Sequence, residues 1–291
     1  MHRTNDTDEL SRIRWCSQLI RAHAALASLA IAALIFATAT TALAETVAFE
    51  VPYNTRTIKI EGQLRKPSGG DGPFPVVIGL HACDGPGNYS TNFWLATLAA
   101  QGYATYLPDS FGPRGYVEVC TFTSLVAIAE RAQDALVAAA TLAARPDIRG
   151  DRIAILGVSH GGAAALRLSR DDASLAPLRQ KLADAGGKIV GVVALYGSCA
   201  PDLKRPVVTP LLILIGSNDD WALPKPCQEF ASEGSNSKLV QLHVYPGAMH
   251  SFDNASIYIR QMTNGHRIAF DAEATKDAQS RVTEFLRPLM Q

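Results

Sequence analysis

The chain lacks most of the features that specialise a protein early. It has no C-x-x-C pair, which excludes the common zinc and thiol-redox motifs. It has no run of Lys and Arg, and its formal net charge is zero, so the clustered cations that hold nucleic acid are missing. No segment repeats, and beyond an Ala-rich start none is of low complexity. No linker rich in Gly, Ser or Pro divides it. What is there is an ordinary globular composition, 47% hydrophobic over 291 residues, sufficient for one large α/β domain.

The beginning of the chain reads as a leader. Arg12, Arg14 and Arg21 precede a charge-free run rich in Ala, Leu and Ile that ends at Ala42-Leu43-Ala44. Basic, apolar and small residues in that order form a secretory signal, with cleavage expected before Glu45. Read instead as an uncleaved anchor, the same run is nearly long enough to span a bilayer. Cys16 follows Trp15 and lies ahead of the apolar run, so it does not fit a lipidation site. Residues 1–44 are thus a predicted signal peptide and 45–291 a single mature domain, exported to the periplasm or beyond. Removing the leader leaves Cys83, Cys120, Cys199 and Cys227, an even number that favours disulfides in an exported chain. Their neighbourhoods favour Cys83–Cys120 and Cys199–Cys227 among about three possible pairings.

Along the mature chain, short apolar runs alternate with helical patterns. Residues 57–64 alternate polar and apolar, as an edge strand does. Residues 75–80, 103–107, 152–156, 189–196, 211–215 and 239–245 read as further strands, several apolar on both faces. Helices are expected at 92–101, 124–144, 161–169, 226–232 and 271–289. Strand and helix in alternation predict a mostly parallel sheet with helices on both faces.

Gly157-Val158-Ser159-His160-Gly161 follows the buried strand 152–156 and opens a helix of small residues. A serine on such a strand–turn–helix projects its hydroxyl above the sheet, and the helix N-terminus adds a positive dipole end. Without its setting, G-x-S-x-G is common enough by chance to prove nothing. A serine nucleophile needs a base, and the base needs an orienting carboxylate. In this arrangement they follow in the order Ser, Asp, His, after later strands. Gly216-Ser217-Asn218-Asp219-Asp220 supplies the acid, with Asp219 preferred over Asp220, and His250 supplies the base, with His266 the weaker alternative. His243 lies within a strand and reads as structural. The oxyanion hole requires two N–H donors, one from the backbone of His160 and one from Ala82 or Cys83 after the strand 75–80.

Leu80-His81-Ala82-Cys83-Asp84-Gly85, Asp109-Ser110-Phe111-Gly112-Pro113-Arg114-Gly115, the Gly-x-Ser-x-Gly-Gly elbow, Gly216-x-x-Asp219-Asp220-Trp221 and Tyr245-Pro246-Gly247-Ala248-x-His250-x-Phe252 stand in this order. Together they resemble the dienelactone hydrolase family over nearly all of the mature chain. The resemblance implies an α/β-hydrolase fold without a large lid, and nucleophile, acid and base roles for Ser159, Asp219 and His250. Ser159 stands where the founding members of that family carry a cysteine, and those members act inside the cell. A general ester hydrolase therefore fits better than one acting on dienelactone itself. Arg114 is a candidate clamp for a substrate carboxylate, or else a tether to an acid such as Asp109. Trp221 and Phe111 are candidate pocket walls, or else packing beneath the loops.

The expected activity is cleavage of a small carboxylic ester or lactone through an acyl-enzyme, with no cofactor and no metal. The expected partner is the small-molecule substrate, not nucleic acid and, after leader cleavage, not a membrane. A peptidase or acyltransferase would use the same residues, because specificity lies in the pocket. A non-catalytic binding protein that retained the fold would be expected to have lost part of the Ser, Asp, His set.

Overall fold

The structure is a computed structural model and describes residues 44–199, 205–233, 238–257 and 261–291. The predicted leader lies outside these residues apart from Ala44. Among the described residues no helix is long and apolar enough to cross a membrane.

Ten strands are described: β1 (Ala44–Tyr53), β2 (Arg56–Arg65), β3 (Phe74–Leu80), β4 (Ala104–Pro108), β5 (Ile148–Val158), β6 (Ile189–Leu195), β7 (Leu211–Gly216), β8 (Val240–Tyr245), β9 (Gln261–Thr263) and β10 (His266–Ile268). The first eight form one sheet in the order β1-β2-β4-β3-β5-β6-β7-β8. β1 and β2 pair antiparallel, as do β2 and β4, and every pair from β4 onward is parallel. This is the α/β-hydrolase fold. The middle strands are buried throughout, which is why β6 and β7 read as unbroken apolar runs. β2 alternates exposed and buried residues, as its sequence predicts, but it is not the edge. β1 covers it, with Val47, Phe49 and Val51 turned inward. The alternation marks a strand with one face covered, which an outer antiparallel strand shares with its neighbour.

Six α-helices are described beside the sheet: α1 (Tyr89–Ala99), α2 (Ile128–Ala143), α3 (His160–Leu168), α4 (Ala176–Asp184), α5 (Pro224–Ser232) and α6 (Ala272–Met290). α1 and α6 lie on one face, where Gln101, just past α1, bonds to Thr283 of α6, while α3 and α4 pack against α2 on the other. Asn88 and Asp271 cap α1 and α6 by accepting N–H bonds from the first turn. The helix predicted over 124–144 starts late. Thr123–Leu125 is a separate 3-10 turn, and Val126 is extended so that its side chain can enter a small second core with Cys83, Phe111 and Val119. β9 and β10 form a hairpin across Asn264-Gly265, both at positive φ, a strong local turn signal that strand patterning passes over because each arm is three residues long.

Among the described residues two disulfides are present, Cys83–Cys120 and Cys199–Cys227, closing 37 and 28 residues of sequence. The chain-entropy value for loops of that length is roughly 3–4 kcal/mol each. Reduction under native conditions is expected to lower the melting temperature by about 6 °C or more. An unchanged melting curve would show that the bridges do not hold the fold.

Candidate active site

The elbow between β5 and α3 is a backbone collision avoided by glycine. A Cβ on Gly157 would strike the Gly161 carbonyl, and one on Gly161 would strike the Leu80 carbonyl at the end of β3. With strand and helix this close, Ser159 takes φ 53° and ψ −114°. Such a conformation costs of order 1–3 kcal/mol for a non-glycine residue and persists only where its surroundings enforce it. Here Ser159 N–H donates to Leu195 O at 2.9 Å and Ser159 O accepts from Ala163 N–H at 2.9 Å.

The turned-out hydroxyl meets an imidazole. Ser159 Oγ lies 2.9 Å from His250 Nε2, and His250 Nδ1 lies 2.8 Å from Asp219 Oδ2. The other carboxylate oxygen of Asp219 accepts N–H bonds from Trp221 at 2.9 Å and Ala222 at 2.8 Å. With Nδ1–H committed to the carboxylate, Nε2 is left as the acceptor facing the serine. His250 and Asp219 are buried.

Asp220 points elsewhere. Its carboxylate accepts from Arg267 Nε at 2.7 Å and from Arg267 N–H at 3.0 Å, and this guanidinium holds its pKa below the usual range. It thereby ties the β9–β10 hairpin to the acid loop. His266 sits on that hairpin, stacked on Trp221 with ring centroids 4.8 Å apart and 3.5 Å from Asp220, not at the serine. His243 lies on β8 near Asp277, at the protein's edge.

Ser159 and His250 open into a cavity of about 530 Å³ that is also lined by Cys83, His160, Trp221 and Tyr196. Of the alternatives the sequence leaves open for Arg114 and Phe111, the substrate-binding one is corrected for both: Arg114 is a tether, though to Asp134 and not Asp109, and Phe111 is packing. Arg114 is buried and bound bidentately to Asp134 at 2.8 and 2.9 Å, with a further bond to Ser110 O. A guanidinium so occupied cannot clamp a substrate. Asp109, the alternative partner, instead accepts the N–H groups of Phe111 and Gly112 and caps their turn. Phe111 is fully buried, edge-on to His81 at 4.4 Å, and packs beneath the loops.

Other residues matter that the motifs do not mark. Tyr196 follows β6 at φ 38° with its ring 4.7 Å from His250. Its hydroxyl donates to buried Asp253 at 2.6 Å, and Ser90 and Trp94 complete that carboxylate's partners at 2.7 and 2.6 Å. Burial pushes the pKa of Asp253 up. Thr123, Ser124 and Arg167 line the cavity from the short turn and from α3. The sequence signal for Arg167 was available: it is two helical turns beyond Ser159 on the same face as Ala163.

His81 and His160 are both held neutral. His81 Nε2 accepts from Ser110 N–H at 3.3 Å, and its Nδ1 donates to Ala82 O at 2.9 Å. His160 Nδ1 accepts from Arg131 at 2.8 Å, and its Nε2 donates to Thr123 O at 3.0 Å. Burial, reinforced by Arg131, drives His81 far down and His160 to about 3.

Gly161→Ala is expected to lose folded protein or several kcal/mol of stability, since the colliding atom is backbone; a variant as stable as wild type would refute the close approach. Below pH ~6.5 the unfolded chain protonates both histidines while the folded chain does not, so stability falls with falling pH by about 1.4 kcal/mol per unit for each histidine. Melting temperatures between about pH 7 and pH 5 should show that fall, above the range where carboxylates titrate, and His160→Gln should roughly halve it. A flat profile would contradict the neutral assignment.

No curated protein matches the chain. Solved structures do. A dienelactone hydrolase-like promiscuous phosphotriesterase from metagenomic libraries superposes with a TM-score of 0.64 at 21% identity, over 86% of this chain and 100% of the other. A dienelactone hydrolase from Anabaena variabilis gives 0.58 at 18% identity, over 85% and 99%. Esterase 2 of Thermogutta terrifontis, phosphorylated by paraoxon, gives 0.59 at 15% identity, over 84% and 94%. At these identities the likeness shows the shared fold. The sequence profile of the dienelactone hydrolase family matches residues 60–290, and the chain therefore belongs to the dienelactone hydrolase family of hydrolases.

Proposed function

We propose that this protein is a serine hydrolase that cleaves a small carboxylic ester through an acyl-enzyme. The observation that carries the reading is the hydrogen-bonded chain Ser159 Oγ–His250 Nε2, His250 Nδ1–Asp219 Oδ2, at 2.9 and 2.8 Å, opening into the cavity. Ser159 Oγ attacks the carbonyl carbon as His250 Nε2 takes the hydroxyl proton. The tetrahedral oxyanion is held by the backbone N–H groups of His160 and Cys83. It collapses as His250 returns the proton to the departing alcohol oxygen. Water then repeats the attack on the acyl carbon and frees the acid and Ser159. Asp219 fixes the imidazole tautomer and stabilises the imidazolium formed at each attack. Trp221 and Tyr196 flank the His250 ring and bound the acyl site.

The comparisons support this at the level of chemistry. One neighbour is a phosphotriesterase and another an esterase phosphorylated by paraoxon. An organophosphorus ester mimics the acylating substrate, so a fluorophosphonate should trap Ser159 here as well. The two disulfides fit a protein that works in an oxidising compartment, as the predicted leader suggests.

Three variants separate the roles on a short-chain p-nitrophenyl ester. Ser159→Ala is expected to abolish fluorophosphonate labelling and lower kcat by about 10⁴-fold or more. Asp219→Asn should lower kcat by roughly 10²–10⁴-fold with the fold intact, whereas Asp220→Asn should stay within about threefold. Ester hydrolysis that survives Ser159→Ala, or an Asp220 variant as crippled as the Asp219 one, would overturn the assignment. An aminoacyl amide run beside the ester tests for peptidase activity.

A further inference from the structure

The two backbone donors proposed for the oxyanion sit on different loops, and one buried cation stands behind both. Arg131, on α2, has no exposed surface. Its Nη1 donates to Nδ1 of His160, the residue after Ser159, at 2.8 Å. Its guanidinium carbon lies 5.0 Å from the centroid of Phe111, a ring that packs edge-on against both His160 and His81, the residue before Ala82 and Cys83. Arg131 thus touches one donor loop directly and reaches the other across a single ring. Its Nε and Nη2 have no hydrogen-bond partner among the described residues. Asp134, one turn along the same helix, is taken up bidentately by Arg114. Through space Asp134 still offsets the larger part of the charge and half-buried Asp109 a smaller part, with one Asp109 oxygen committed to the turn it caps, while the Arg114 guanidinium adds charge of the same sign.

Burying a guanidinium without a carboxylate of its own is a poor way to gain stability. What it does produce is a positive field at both donor loops. That field helps to depress His81 and His160, because it disfavours a second cation beside it. An anion in the same place would feel it with the opposite sign.

We infer that Arg131 is a positioning residue for the oxyanion hole, which fixes His160 beside Ser159 and stabilises the negative oxygen of the tetrahedral intermediate from behind the two donor loops. It does so without touching substrate. Through His160 it also braces Thr123, and with it the turn that lines the cavity.

The inference rests on the esterase reading above, and the experiment keeps the two apart. Wild type, Arg131→Lys, Arg131→Gln and Arg131→Met are compared for fluorophosphonate labelling, for kcat and KM on a p-nitrophenyl ester, and for inhibition by phenylboronic acid, which forms an anionic tetrahedral adduct on a serine nucleophile. Arg131→Gln can still donate to His160 but carries no charge. It is expected to lose about 10- to 100-fold in kcat and in boronate affinity, with KM within about threefold, while Arg131→Lys recovers most of the loss. A merely structural role would not spare KM and weaken the boronate selectively. The inference is overturned if the Gln variant matches wild type, or if Lys and Gln fall equally. Should neither neutral variant fold, the Lys variant decides: boronate affinity within about threefold of wild type supports the inference, and a loss of about tenfold or more overturns it. If wild-type Ser159 fails to label, it is the esterase reading that fails.

Discussion

No Cβ fits where β5 turns into α3, and much of the site follows from that. Glycine at 157 and 161 lets the helix start almost against the ends of β3 and β5. The chain between them is then forced through a residue at φ 53°, and that residue is Ser159. Its hydroxyl leaves the sheet at the carboxyl ends of the strands, where β5, β6, β7 and β8 lie in order. The loops after β7 and β8 deliver Asp219 and His250 to the same edge. Parallel strands with short loops at one end therefore bring together three residues spread over 91 positions of sequence.

Four groups that face the cavity are fixed from behind by a second side chain. His250 has Asp219, whose remaining oxygen is saturated by two backbone N–H groups. Tyr196, held at an unfavourable φ beside His250, has Asp253, a buried carboxylate satisfied by three neutral donors. His160 has Arg131. Cys83 is joined covalently to Cys120. Side chains fixed in this way lose little freedom on reaching a transition state, which is the advantage of preorganisation over loose complementarity.

Much of this was legible in the sequence. The elbow, the acid and base loops and the parallel strands are local patterns: short apolar runs followed by small or turn-forming residues. The pairing of the cysteines could be favoured by neighbourhood, since each bridge joins loops that follow strands. What was not legible depends on which side chain a loop turns inward. Arg114 lies in a loop near the site, but Asp134 on α2 captures it, and no spacing rule links positions 114 and 134. Phe111 sits in the same loop and is drawn into the small second core. The break before α2 has the same origin, because Val126 is pulled into that core against helical propensity. β1 escaped notice because it begins at the last residue of the predicted leader, although Val47, Phe49 and Val51 alternate as a strand should.

The central claim is that Ser159 carries the acyl group between two half-reactions. Its most direct test is acid quenching of the enzyme within milliseconds of mixing with a slowly deacylated p-nitrophenyl ester, followed by intact-mass and peptide mass spectrometry. The account predicts a species heavier by the acyl group, formed with the burst of p-nitrophenol and located on the peptide containing Ser159. Turnover with no acylated species, or with the acyl group on another residue, would contradict it.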